Sequence, residues 1–413
     1  MLVHEWSTVE SHLEEIRLNE EMYAVAWRTA WYIWTVHKQG IMCILSSKGI
    51  TLVPFSNEQF NNRFAWPINS SRLTFTLDGH SYIRSNEYYY AKESKYGISE
   101  GPYGVIRDQN SWWLNGHLMC NTAGPWSTRG IEQISKNLQD SMMPWPHEKT
   151  IFFINRRDFP LMSYKAKVTP HWHVFGLKPE LPMFYGINRW SPVLSYYGTD
   201  APVSSSDVLW PVPEHWSLHN QTFAAWPKKP MAVFRGTLTG RYTDERNVRL
   251  ALVNLQHPDV DAKLTAWTPR CRIYGSSVEF NGKPQDLQLG QPMTMYEQST
   301  FAVLLYVHGH AASMRLGWHF MSGSCVIKIE DNSCTAPIQW FDQLFTEGHS
   351  FQKNKHYLST TLAELPKLLA KLHTEDGLAY FQKIGLEAQA VARRVFEPQF
   401  MRSYTRSVLC RLL

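Results

Sequence analysis

The chain has 413 residues, 44% of them hydrophobic and 19% charged, with a formal net charge of +5. That length exceeds one compact core and fits two domains, and the balance excludes a disordered chain. Basic residues stand at most in isolated pairs such as Arg156-Arg157 and Lys228-Lys229, which excludes a nucleic-acid-binding stripe and leaves room for a site taking one anionic ligand.

From the N-terminus, His4, Glu5, Ser7 and Glu10 interrupt anything resembling the apolar stretch of a signal peptide. Residues 8–38 read as helical, with Thr8 or Ser11 as cap, then Leu13, Ile16, Leu18 and an aromatic run. The most apolar window, residues 24–36, carries Arg28 and is too short to span a bilayer. The expectation is a soluble, cytoplasmic protein (host cytoplasm if viral), not an integral membrane protein. From Ile41 to about Asn121, short alternating runs (50–55, 72–76, 81–84, 87–90, 112–114) are broken by Gly, Asn and Asp and predict a strand-rich, antiparallel section. A helix follows over 130–140. Strands are predicted at 151–155 and 193–197, and Pro227-Lys228-Lys229-Pro230 marks a domain boundary. Beyond it come a strand at 231–234, a helix at 243–255, a buried strand at 301–307, a helix at 311–321, a strand at 325–329, and helices at 361–372 and 375–394. Strand–helix–strand order predicts parallel sheets with helical crossovers.

Three segments follow predicted strands, where open parallel sheets bind ligands. In Phe234-Arg235-Gly236-Thr237-Leu238-Thr239-Gly240 an arginine at a strand end can clamp a phosphate, and the glycines let backbone approach it. An ion pair and a plain turn explain the same residues equally well. In Val307-His308-Gly309-His310-Ala311-Ala312-Ser313-Met314-Arg315 a strand passes through glycine into small residues opening a helix, whose free N–H groups suit phosphate oxygens. Tight packing of Ala311 and Ala312 on a sheet is the alternative. In Asn155-Arg156-Arg157-Asp158-Phe159-Pro160 the carboxylate is placed to act as general base, though alone it reads as an ion pair with a neighbouring arginine. Asp259-Val260-Asp261 matches a metal-binding DxD but stands in a loop entering a strand, so no metal is expected there. His171-Trp172-His173 and His308-Gly309-His310 have no third ligand nearby. The 17 Trp, 19 Tyr and 20 Phe suit stacking on sugar rings and an aromatic core alike.

These motifs, in this order, resemble glycosyltransferase family 90, which includes animal protein O-glucosyltransferases, the fungal capsule xylosyltransferase, and large-virus and algal relatives. The resemblance runs from about Thr150 to about Ser407. Asn155 to Pro160 is similar to the family's N-x-R/K-D-Y/F-P segment. Pro192-Val193-Leu194-Ser195 and Asp207-Val208-Leu209-Trp210-Pro211 are similar to its P-V-x-S and D-I-x-x-P elements. Phe234-Arg235-Gly236-Thr237 and Gly309-x-Ala311-Ala312-Ser313-x-Arg315 match two further signatures. Ala302 and His308 depart from it, standing where members commonly carry Lys and often Asp.

The resemblance implies an α/β chain of the GT-B type: two Rossmann-like domains facing across a cleft, with an N-terminal strand-rich extension over 1–149. Residues 150–226 would form the acceptor-side half, 227–375 the donor domain, and 376–413 helices returning to the first half. It further implies an inverting, metal-independent enzyme with no cofactor, moving glucose or xylose from a UDP-sugar to a glycan or protein acceptor. Asp158 would be the general base. Asp207, Val208, Leu209, Trp210 and Pro211 would line the donor sugar, and Arg235, Gly236, Thr237, His310, Ala311, Ala312, Ser313, Met314 and Arg315 would hold the rest of the donor. The rival expectation is a catalytically idle carbohydrate- or nucleotide-binding module.

Overall fold

The computed structural model of the chain describes residues 6–15, 20–34, 39–56, 74–77, 80–83, 111–114, 117–121, 128–145, 149–155, 191–196, 198–199, 208–240, 247–266, 289–309, 312–330, 337–344 and 348–412. The strand expected at 87–90 lies outside them, as do Asp158, Asp207, His310 and Ala311. The region expected as one helix over 8–38 holds two, α1 (Trp6–Glu14) and α2 (Glu20–Tyr32). Three antiparallel hairpins follow, in keeping with the alternating runs: β1 (Gln39–Ser46) with β2 (Gly49–Ser56), β3 (Thr74–Leu77) with β4 (His80–Ile83), and β5 (Ser111–Leu114) with β6 (His117–Asn121).

After α3 (Thr128–Met142), the strands β7 (Thr150–Ile154), β8 (Val193–Ser195) and β10 (Val208–Leu209) run parallel. The hairpin β1–β2 completes their sheet in the order β10-β8-β7-β1-β2. This sheet takes strands from both sides of residue 149, since β1 pairs antiparallel with β7 from Ile41↔Ile154 to Leu45↔Thr150. Both faces are covered, which explains why β7 is apolar at every buried position. Phe152 and Ile154 pack with Ile134, Leu138 and Met142 of α3, while Ile151 and Phe153 pack with Val9, Leu13, Ala26 and Ala30 of α1 and α2. Each buried phenylalanine contributes about 1.5–3 kcal/mol.

The second sheet is wholly parallel. Its strands are β11 (Lys229–Thr237), β12 (Val260–Ala266), β13 (Phe301–Tyr306), β14 (Cys325–Ile329) and β16 (Leu358–Thr360), in the order β12-β11-β13-β14-β16. Numbered along the chain this is 2-1-3-4-5, a doubly wound arrangement whose direction of growth reverses between β11 and β13. Right-handed crossovers then force helices onto opposite faces. Accordingly α4 (Val248–Asn254) packs Leu250 and Leu252 with Phe234 and Leu305, whereas α6 (Arg315–Met321) packs Leu316 and Phe320 with Leu304 and Tyr306 on the other face. The short helix α5 (Met295–Ser299), closed by a Thr294–Glu297 capping box, leads into β13.

The expected boundary at Pro227–Pro230 is pinned at the entry to β11. Lys228 is buried and spends its three ammonium donors on Ser299 O (2.6 Å), Ser322 O (2.9 Å) and Ser324 Oγ (2.9 Å). Burial pushes its pKa down to about 8.

Three features tie the sheets together. An antiparallel ribbon of β9 (Gly198–Thr199) and β15 (Pro337–Ile338) joins the segments that follow β8 and β14. After α7 (Leu365–Leu369), helix α8 (Glu375–Val395) covers the second sheet, with Phe381 and Ile384 on one face and Ala388, Val391 and Val395 on the other. Helix α9 (Pro398–Leu412) crosses to α3, where Leu409 enters the first sheet's core and Tyr404 Oη donates to Leu209 O at 2.9 Å. No described helix is long and apolar enough to cross a membrane.

Candidate functional site

A doubly wound sheet opens a crevice at the carboxyl ends of the strands flanking its reversal. Here β11 and β13 pair only as far as Val233↔Leu304, while β11 stays paired with β12 through Thr237. The two lips are therefore Arg235–Gly240 and Val307–Gly309, and both belong to segments singled out in the sequence.

Arg235 is buried at the first lip. Its Nη2 donates to Asp261 Oδ2 at 2.6 Å and its Nη1 to Asp261 O (2.7 Å) and Phe234 O (3.0 Å), so the ion pair left open by the sequence is formed. Its Nε has no partner among the described residues. The DxD carboxylates are thereby parted: Asp261 serves Arg235, and Asp259 Oδ2 lies 2.8 Å from His373 Nε2.

Arg315 enters from the other side, its Nη1 donating to the Arg235 carbonyl and its guanidinium resting 5.9 Å from the Phe234 ring centroid. Among the described residues no carboxylate pairs with it. Burial presses its pKa below the usual arginine range, with the Tyr306 hydroxyl beside it. The guanidinium stays charged all the same. A partly desolvated charge with no counterion among the described residues favours an anion.

Helix α6 starts at Arg315, with Met314 as its N-cap, and not at Ala311 as expected. The Ser313 amide is taken: it donates to Tyr306 Oη at 2.9 Å, and Ser313 O accepts from Gln339 Nε2 at 2.9 Å. Tertiary bonds to the buried end of β13 thus hold Ser313 out of the helix. The Ser313 amide is therefore not free to receive a phosphate oxygen. Gly236 has a different part too, since a Cβ there would lie 2.8 Å from the Phe234 ring.

Val208, Leu209 and Trp210 are brought to this segment as packing, and Pro211 is buried next to them in the chain. Trp210 is 2% exposed, stacks on Tyr196 at 5.4 Å, and shares a core with Ala312 and Met314, while Leu209 packs with Leu316. The Trp210 indole is thus part of the core that carries this segment. On the first sheet, Asn155 Nδ2 donates to Ser195 Oγ at 2.8 Å, joining two of the family-like motifs at the carboxyl ends of β7 and β8. Asp158 follows three residues later, outside the described residues.

Arg249 was not anticipated. It is buried in the first turn of α4 and donates to Thr237 O (2.8 Å), Thr239 Oγ1 (2.5 Å), Val307 O (2.9 Å) and His308 O (3.1 Å). The sequence signal was a lone arginine in the apolar run Val248-Arg249-Leu250-Ala251-Leu252. Ala302 is fully buried at the entry of β13, roughly 13 Å of strand before Tyr306.

Two histidines are buried behind the site. His215 Nδ1 accepts from Trp340 Nε1 at 3.0 Å, and burial pushes its pKa down to about 3. His319 is pushed well below the ordinary range by burial and by the Arg315 charge. Both rings are neutral when folded, so below about pH 6.5 the unfolded chain binds protons the folded one does not. Stability should be full above that pH and fall with acidification by about 1.4 kcal/mol per histidine per pH unit. Urea midpoints between pH 7 and 5.5 check this. A His319→Phe variant should show roughly half the slope, and a flat wild-type profile would mean the rings take up protons in the fold.

No protein-family model matches the chain. It is similar to two viral proteins, both named only as uncharacterized. Protein 035R of Invertebrate iridescent virus 3 is 27% identical over 327 residues, covering 72% of this chain and 29% of its own. Protein 179R of Invertebrate iridescent virus 6 is 21% identical over a 443-residue alignment, covering 92% of this chain and 36% of its own. The chain thus spans about a third of the length of these relatives.

Proposed function

We propose that the chain is a glycosyltransferase that moves a sugar, glucose or xylose, from a UDP-sugar to an acceptor hydroxyl with inversion and without a divalent metal. The two sheets would be the two Rossmann-like halves of a GT-B enzyme, with the donor over 227–375 and the acceptor, a glycan or protein side chain, over 150–226. The observation that carries this reading is Arg315, half-buried at the reversal point of a parallel sheet, with no carboxylate paired to it among the described residues, and hydrogen-bonded to Arg235 across the opening. A diphosphate would supply the missing negative charge to Arg315 and an acceptor for Arg235 Nε.

In the reaction the acceptor oxygen attacks C1 as its proton passes to the Asp158 carboxylate. The C1–O bond to the β-phosphate breaks on the opposite face, and UDP leaves with the electron pair, its charge held by the guanidiniums. UDP release from a panel of UDP-sugars, with and without EDTA, tests the reading. Release from one donor undiminished by EDTA supports it, and loss of release in EDTA sinks the metal-free mechanism. UDP binding without turnover of any donor would point to the nucleotide-binding module instead. Asp158→Asn should lower transfer by about 10²–10⁴-fold and leave UDP affinity unchanged. Retention of more than a tenth of the activity would remove Asp158 from the role of base.

A further inference from the structure

We infer that Arg249 is a positioning residue for the phosphate site, holding its two lips together without touching the ligand. The inference rests on the donor-site reading above. Four of the five guanidinium N–H donors are spent on the lips, two on the β11 side (Thr237 O and Thr239 Oγ1) and two on the β13 side (Val307 O and His308 O). A group so engaged is poorly placed to clamp a phosphate. It stands where the β11–β13 ladder has stopped and replaces the missing strand-to-strand hydrogen bonds with side-chain donors.

Two further features make the bridge rigid. Asn247 Oδ1 accepts from Arg249 N (3.0 Å) and Leu250 N (3.1 Å), which fixes the turn that carries the arginine. Gly309 brings the lips to touching distance, since a Cβ there would lie 2.8 Å from Thr239 Oγ1 and 3.2 Å from Arg249 Nη2. The arginine also reaches the phosphate-facing side indirectly. Its guanidinium carbon lies 5.8 Å from the centroid of the Phe234 ring, the same ring on which Arg315 rests. Loosening Arg249 therefore frees both the lip carrying Arg235 and the surface that supports Arg315.

The test measures UDP affinity by calorimetric titration, with KM and kcat for UDP release, in Arg249→Met and Gly309→Ala. Arg249→Met should bind UDP about 10- to 100-fold more weakly, as a coupling of this size implies. KM for the donor should rise while kcat stays within about threefold, because placement of the donor is shared by ground and transition states. Arg249→Lys should not rescue the affinity, since a single ammonium cannot span both lips. Gly309→Ala, which wedges the lips apart and leaves the arginine in place, should weaken UDP in the same sense. If Arg249→Met does not fold, Thr239→Val removes one lip acceptor and should cost about fivefold in affinity. UDP affinities within twofold of wild type in the folded variants overturn the positioning role and leave the proposed function intact. A wild-type protein that binds no UDP overturns both.

Discussion

Replacing Arg315 with methionine should weaken UDP binding by about 10²-fold or more, yet leave the ligand-free protein as stable as before or slightly more so. The two effects have one cause. In the free protein the guanidinium is desolvated and bonded to the Arg235 carbonyl, with no carboxylate beside it among the described residues. Substituting buried ionic groups by apolar side chains of similar volume is often neutral or stabilising by about 1–4 kcal/mol. Methionine keeps most of the volume and the contact with Phe234, and loses one hydrogen bond, worth about 1 kcal/mol. With ligand present the balance reverses, because the charge-assisted bonds to phosphate are gone. Calorimetric melting of the free protein and titration with UDP measure the two effects separately. A drop of several degrees with UDP affinity unchanged would make Arg315 a structural residue and remove the observation on which the functional reading depends.

Gly385→Ala should be strongly destabilising, although it adds only a methyl group. Alanine normally stabilises a helix interior by about 1 kcal/mol over glycine, and residue 385 lies in the middle of α8. Here that gain is outweighed. An added Cβ would collide with the Gly323 carbonyl oxygen and lie 2.7 Å from the Ser324 carbonyl carbon and 2.9 Å from Cys325 N. These are backbone atoms of the turn entering β14, held in place by Ser324 Oγ donating to Phe301 O at 2.8 Å, so no side chain can swing aside. The helix would have to lift from the sheet where it passes from one face to the other. Overpacking of a core costs about 1–3 kcal/mol when side chains can adjust, and a backbone collision should exceed that. A net loss of at least about 3 kcal/mol, or about 6–12 °C in melting temperature, is expected. A melting point within 2 °C of wild type would show that α8 is not seated as described.

Elements were legible where the pattern was local. Phe301–Tyr306 is a continuous apolar run, Cys325–Ile329 is apolar except for Lys328, and Glu375–Val395 has its threonine cap and acidic first turn. The start of α6 was misread because Ala311-Ala312-Ser313 has the composition of a helical turn. The deciding bond comes from Tyr306, and no helical period reports it. The site shows the same division. Arg235 and Arg315 were recognisable by their positions after strands. Whether Arg235 was paired depended on Asp261, which is remote in sequence and becomes its neighbour only through β11–β12 pairing. Arg249 and Lys228 were hidden because each serves carbonyl groups whose placement only the folded chain defines. The stacking of Trp210 on Tyr196 is likewise a tertiary contact that no local pattern reports.

The path of α9 bears on how the molecule is made. All strands of the first sheet have been synthesised by Leu209, but the helix that lies against α3 begins only at Pro398, roughly 190 residues and, at about 5–20 residues per second, about 10–40 s later. Throughout that interval the slot for Leu409 beside Ile134 and Leu138 stays uncovered on the nascent chain. The second sheet, contiguous from Lys229 to Thr360, can finish first. The half begun earliest on the ribosome is thus the last to be sealed, which leaves it the longer exposed to chaperones and to association with other chains.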